Sequence, residues 1–185
     1  MLAILNNQNR ESILQTFFQY YYYELMNLLK ITTHIKRYDN RDELTTDETT
    51  LLKKAREAAL KSYSPYSGFK VGAAVLLQNG EIVTGNNQEN AAYPSGLCAE
   101  RTAIFWANSQ YPDVAVTKIA VTALKGGKIV AKPVAPCGSC RQVMIETETR
   151  FKTPVKTIID SSSEVWVIDK ASDLLPLFFN EKDLG

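Results

Sequence analysis

Residues 69–85 read FKVGAAVLLQNGEIVTG. Two apolar runs flank Asn79-Gly80, a dipeptide suited to the tight turn of a β-hairpin. Immediately upstream, residues 44–63, LTTDETTLLKKAREAALKSY, form a predicted helix. Thr45 and Glu48 make a capping box, and Asp47 and Glu48 place negative charge in the first turn. Leu51, Leu52, Ala55, Ala58, Ala59 and Tyr63 recur on one side, and the helix must stop before Pro65. Downstream, the loop NNQENAAYPSG (86–96) leads into a helix from near Cys98 to about Asn108. VTKIAVTAL (116–124) is the next strand, and GGKIVAKPVAP (126–136) returns the chain to Cys137. A helix then runs from Cys137-Gly138 to about Glu148, followed by two short β segments, PVKTIID and EVWVIDK, and a closing turn or short helix, DLLPLFF. Alternating strands and helices predict an α/β layered domain, with helices covering a central sheet.

The chain as a whole sets wider bounds. At 185 residues it can bury a sizeable core without disulfides. A formal charge of +1 gives no electrostatic reason to expect long nucleic acid or an anionic membrane as partner. No apolar run is long enough to span a bilayer. Residues 1–45 are read as an N-terminal extension of uncertain structure and 46–185 as the functional domain. The extension carries four tyrosines at 20–23, and a start at Met26 is an alternative. It lacks the pattern of a signal peptide or membrane anchor, so the default expectation is a cytoplasmic protein.

All three cysteines sit in two motifs, CAER (98–101) and PCGSC (136–140). Three thiols cannot all pair within the chain, which disfavours a secreted disulfide scaffold. Cys137-x-x-Cys140 alone is ambiguous between a redox pair and half a metal site. A redox reading leaves Cys98 unexplained. A structural zinc site wants four protein ligands, and His34, the only histidine, lies far off in the N-terminal region. Three thiolates with one open position suit catalytic zinc. Cys98 and Cys137 each stand at a predicted helix N-terminus, where free N–H groups favour anionic sulfur. Arg101 and Arg141 are placed to donate to the sulfurs and draw off charge. Glu100 is not needed as a ligand and is placed to shuttle protons between an activated water and a substrate. Cys98-x-Glu100…Pro136-Cys137-x-x-Cys140 is the three-cysteine form of the zinc deaminase signature.

The sequence resembles the cytidine deaminase family, specifically its small homotetrameric zinc-dependent branch. The likeness rests on SYSPYSGFKVGAAV, NQENAAYPSGLCAERTAI, PCGSCRQV and LLPLFF, spread over roughly residues 46–180. The resemblance implies a layered fold with a central mixed sheet covered by helices, and one Zn²⁺ per subunit on Cys98, Cys137 and Cys140. Glu100 would serve as proton shuttle while water replaces the 4-amino group of cytidine or 2′-deoxycytidine, in pyrimidine salvage. Phe69 would pack against the nucleoside, Asn87 and Glu89 would hold the ribose 3′-hydroxyl, and the Ala99 N–H would donate to O2 of the base. Phe179, with Phe178 as the alternative, would stack on the pyrimidine from an adjacent subunit of a homotetramer. Gln88 departs from the family, which usually has an aliphatic residue there, so altered packing behind the sugar loop is expected.

Three rival readings remain at this stage. A deaminase acting on another aminated ring shares the chemistry, and Asn87 with Glu89 argues against it. A polynucleotide-editing enzyme would want a basic channel. A non-catalytic zinc protein has no use for Glu100.

Overall fold

The computed structural model describes residues 13–17 and 28–185. Residues 13–17 are helical and fall in a first unit, Met1–Thr32. The tyrosine run and Met26 lie outside the described residues. The second unit, Thr33–Gly185, carries everything that follows.

Its sheet has seven strands: β1 Lys36–Tyr38, β2 Phe69–Leu77, β3 Ile82–Asn86, β4 Val116–Lys125, β5 Lys128–Ile129, β6 Lys156–Ile159 and β7 Val165–Ile168. Three helices accompany them: α1 Thr46–Leu60, α2 Ala99–Gln110 and α3 Gly138–Phe151. The strand order is β1-β7-β6-β4-β2-β3, with β5 pairing β4. β4 and β6 run parallel, joined through α3, while the other pairs are antiparallel. The expected mixed sheet covered by helices is the observed architecture.

Period-two alternation along β2 divides the core. Ala73, Val75 and Leu77 point to the face covered by α2 and α3, where Ala103, Ile104, Met144 and Ile145 pack with Val121 and Ile159. Ala74 and Leu76 point to the other face, where Leu51, Leu52 and Ala55 of α1 meet Ala120, Ile158 and Val167. Each fully buried Leu or Ile contributes about 1.5–3 kcal/mol relative to exposure. These side chains press the helices onto the sheet and fix where the helix ends lie.

Local chemistry sets the element boundaries. The Glu48 N–H donates to Thr45 Oγ1 at 3.4 Å, and the Thr45 N–H donates to Glu48 Oε2 at 2.9 Å, completing the capping box of α1. The β2–β3 turn closes at Gly80, whose φ of +89° suits a residue without Cβ.

Residues 33–45, read from the sequence as part of an extension, belong to this compact unit. β1 pairs with β7 in the register Lys36↔Val167, Arg37↔Trp166 and Tyr38↔Val165. Just beyond it, Arg41 reaches Asp160 at 3.2 Å and also donates to the Ser161 carbonyl. Arg56 of α1 grips the same buried carboxylate at 2.7 and 2.9 Å, and Thr122 of β4 donates to it at 2.9 Å. A buried carboxylate needs such company, because an unpaired charge there is costly.

Candidate active site

α2 and α3 begin on the same side of the sheet and bring their first residues together. Cys98 is the N-cap of α2 and Cys137 the N-cap of α3, and neither thiol caps its own helix by a hydrogen bond. The first-turn N–H groups of both helices have no intrahelical partner, so two positive helix ends lie at the sulfurs. Cys140 follows one turn into α3 and is fully buried. Sγ of Cys98 lies 3.8 Å from Sγ of Cys137, which lies 3.5 Å from Sγ of Cys140. The three sulfurs all fall within 4.8 Å of one another, the one such metal-competent cluster among the described residues. They form no disulfide.

This donor set fits a zinc ion. Thiolates are zinc ligands of the right softness, and three leave one position open. The sulfurs already share protons unequally: Cys98 is pulled down to about 5, first by the hydrogen bond from the Cys140 thiol and then by Arg101. Cys140 is pushed up, first by that same bond and then by burial. Nη2 of Arg101 donates to Sγ of Cys98 at 3.6 Å, as expected for a cation moderating thiolate charge.

Arg141 differs from the expectation. Its guanidinium donates to the carbonyls of Pro136 and Leu174, at 2.8 Å each, rather than to sulfur. It thereby braces the residue before Cys137 against the C-terminal segment, so its influence on the cluster runs through the backbone. Glu148, which the sequence reading passed over, performs a related task. Its carboxylate accepts from the N–H groups of Val155, Ala171 and Ser172 and ties that segment beneath α3.

A cavity of about 180 Å³ opens beside the sulfurs. Cys98, Ala99, Glu100, Cys137 and Asn87 line it, with apolar wall from Val71, Val121, Ala123, Val134 and Ala135. A mostly apolar recess with a few convergent polar groups suits a small flat ligand. Glu100 is 4% exposed, and burial pushes its carboxyl above the ordinary carboxylate range. Ala99, the first residue of α2, leaves its N–H free of an intrahelical partner at the cavity wall.

The remaining candidates occupy distinct places. The Asn87 side chain bridges the start of β2, accepting from the Val71 N–H at 2.7 Å and donating to the Phe69 carbonyl at 2.9 Å. Glu89 is engaged outside the cavity wall by Tyr66 and Ser67. Phe69 is half-buried at the edge of β2. Phe178 packs against the core, whereas Phe179 is 57% exposed, its carbonyl held by Gln142 of α3. Gln88 is exposed, with its side chain on Asn86 and its backbone bridged to Tyr63 and Leu97, so it does not enter the packing behind the loop. His34 is exposed and outside the cluster.

Comparison with known proteins agrees with this geometry. The family model described as the cytidine and deoxycytidylate deaminase zinc-binding region matches residues 45–153. The chain is 39% identical over 142 residues to a cytidine deaminase of Halalkalibacterium halodurans, covering 75% of this chain and 98% of the relative. It is 38% identical over 142 residues to one of Sporosarcina psychrophila, covering 75% and 96%. The crystal structure of a cytidine deaminase from Burkholderia pseudomallei superposes with a TM-score of 0.62 at 38% identity, over 74% of this chain and all of that one. With a Cys₃ cluster, a buried Glu100 beside it and these relatives, the chain belongs to the zinc-dependent cytidine deaminase family.

Proposed function

We propose that this protein hydrolyses cytidine and 2′-deoxycytidine to uridine and 2′-deoxyuridine with release of ammonia, a step of pyrimidine salvage. The observation that carries the reading is the buried Glu100 carboxyl in the wall of a cavity shared with Cys98 and Cys137. A zinc ion on Cys98, Cys137 and Cys140 supplies Lewis acidity that makes water a nucleophile near neutral pH. Glu100 takes the proton that water releases and passes it to N3 of the cytosine ring. It then takes the second proton, from the hydroxyl added at C4, and hands it to the amine as the C4–N bond breaks and the C4 carbonyl forms. Its burial favours the protonated form, so once the carboxylate has taken the first proton it is a ready donor to the ring. The Ala99 N–H holds O2 of the base, and the apolar walls exclude bulk water from the reacting carbon.

The resemblance assigns the ribose 3′-hydroxyl to Asn87 and Glu89; of the two, Asn87 borders the cavity. A homotetramer is part of the reading. Its support is the exposure of Phe105 and Trp106 on the helix that carries Glu100, together with Phe179, all large apolar groups that a second copy would cover. A cytoplasmic location suits three free thiols, which a reducing compartment preserves.

The test is loss of cytidine absorbance with identification of uridine, for the wild type and Glu100→Gln at matched zinc content. Turnover that Glu100→Gln reduces by about 10²–10⁴-fold supports the reading. No turnover by folded, zinc-loaded wild type overturns it.

A further inference from the structure

Four apolar residues of the cavity wall come from one stretch of chain: Val121 and Ala123 of β4, and Val134 and Ala135 of the irregular return from β5 to Pro136. β5 is two residues long, and the return beyond it is held by individual bonds. The Val130 N–H donates to the Ala123 carbonyl at 3.0 Å, the Ser162 N–H to the Val130 carbonyl at 2.9 Å, and the Ser163 hydroxyl to the Ala131 carbonyl at 2.6 Å. Two of these three donors belong to the β6–β7 turn, residues 160–164.

That turn is anchored to β4 and behind it. The Asp160 N–H donates to the Val121 carbonyl at 2.9 Å, and its buried carboxylate accepts from Thr122, which alternation turns away from the cavity face. The Ser161 hydroxyl closes the turn, accepting from the Glu164 N–H at 3.1 Å and donating to the Glu164 carbonyl at 2.7 Å. Arg41 joins the carboxylate to the turn's own backbone, since Nη2 donates both to Asp160 Oδ1 and to the Ser161 carbonyl. It is held in place to do so, on a short 3₁₀ helix, Arg41–Glu43, capped by the Asn40 side chain and followed by Leu44 in the core under α1. Arg41 and Asp160 lie outside every motif that carries the family resemblance.

We propose that Arg41 is a positioning residue for nucleoside binding: it pins the 160–164 turn, which holds the 130–135 return and so sets the wall that Val134 and Ala135 present to the substrate. This rests on the deaminase reading above and adds to it a residue remote from the cavity.

The experiment uses the zinc-loaded full chain as wild type, Arg41→Ala, Ser163→Ala, the double variant and Glu48→Gln. Arg56 and Thr122 still pair the Asp160 carboxylate in Arg41→Ala, so no buried charge is stranded and the chain folds. Glu48 is the control, because it contacts Lys156 at the other end of β6 and does not border the cavity. The readouts are amide hydrogen exchange at Val130 and Ser162 without substrate, and kcat and KM for cytidine measured separately. Arg41→Ala is expected to speed exchange at both amides by at least about tenfold. It should raise KM by about three- to tenfold with kcat within about twofold, because a wall contact serves substrate and transition state alike. Ser163→Ala should show a smaller rise in KM, and the double variant should add little to Arg41→Ala, since both act through one turn. Glu48→Gln should leave KM and both amides as in the wild type.

Unchanged exchange in Arg41→Ala would overturn the brace. Faster exchange with unchanged KM would overturn its reach to the cavity, as would a loss confined to kcat or an equal rise of KM in Glu48→Gln. Absence of wild-type turnover would instead count against the deaminase reading, and exchange at Val130 and Ser162 would still decide the brace.

Discussion

Gly85 of β3 packs against the backbone of α2 so closely that a Cβ on it would fall 2.4 Å from the Ala103 nitrogen and 2.7 Å from the Ala99 carbonyl oxygen. Those are backbone atoms, which have no rotamer to retreat into. Gly85→Ala therefore shifts the helix whose first residues carry Ala99 and Glu100 and whose cap is Cys98. Overpacking of this kind costs about 1–3 kcal/mol, and a displacement near 1 Å at the reacting groups lowers kcat/KM by about a hundredfold. Gly72 is the internal control. A Cβ there would meet the Ala55 carbonyl oxygen at 2.0 Å, but α1 lies on the opposite face. Gly72→Ala should lose comparable stability in urea unfolding while deaminase activity falls less than in Gly85→Ala. Equal activity losses in the two variants would show that α2 placement is not what Gly85 secures.

Metal loading should depend on Cys140 although that residue is fully buried. Wild-type protein is expected to retain about one zinc per chain through dialysis, as three thiolates in a preformed cluster require. Cys140→Ser should retain less than about a tenth of that, because a serine hydroxyl does not give up its proton to the metal as a thiol does. The check is metal analysis beside thiol titration: slow labelling of all three cysteines in loaded wild type, rapid labelling of Cys137 after chelation. Undiminished zinc in Cys140→Ser would remove that residue from the ligand set.

The parts of this fold legible in the sequence are those written in local chemistry. Thr45 and Glu48 announce α1, Asn79-Gly80 announces the hairpin, and the two cysteine motifs open the two helices that meet at the cluster. β1 was not legible, because KRY is three half- to fully exposed residues whose partner β7 lies well over a hundred residues away. The Asp160 cluster is similar: Arg41, Arg56 and Thr122 converge on it only once α1, β4 and β6 are stacked. For the same reason, proximity in sequence suggested sulfur as the partner of Arg141, while the fold offered it two carbonyls instead. Asn87 and Glu89, two residues apart in the loop, hydrogen-bond to neighbouring segments that no local pattern pairs with them: Asn87 accepts from Val71 of β2 and Glu89 from Tyr66 of the turn before it.

Glu48 gives the fold a pH dependence that can be signed. Burial raises its carboxyl, but the Thr45 N–H and the Lys156 ammonium at 3.0 Å outweigh that and hold it below the ordinary value of 4.5. A carboxyl lowered in the folded state contributes its stability fully above the unfolded value and loses it as pH falls through the folded one. Glu48→Gln should therefore cost about 1 kcal/mol near pH 7, a modest figure because Lys156 is partly solvated. The gap between variant and wild type should close as pH drops below about 4.5. Urea unfolding at several pH values measures this, and a gap that widens in acid would contradict the assignment.

The two C-terminal phenylalanines should separate by what they support. Phe178 packs against the core under α3, so Phe178→Ala should destabilise by about 2–3 kcal/mol, less than a fully buried ring. Phe179 is exposed, so Phe179→Ala should change stability by less than about 0.5 kcal/mol. If its ring stacks on a pyrimidine held by a neighbouring subunit, KM for cytidine should rise by about tenfold or more, in keeping with about 1–3 kcal/mol for base–aromatic stacking. Mixed oligomers give the sharper reading. A Glu100→Gln subunit has a dead site but an intact Phe179, and a Phe179→Ala subunit has the reverse. Refolding the two together should create hybrid sites with Glu100 from one chain and Phe179 from the other, recovering activity above the sum of the separate variants. Activity that never exceeds that sum would mean Phe179 serves its own subunit or none.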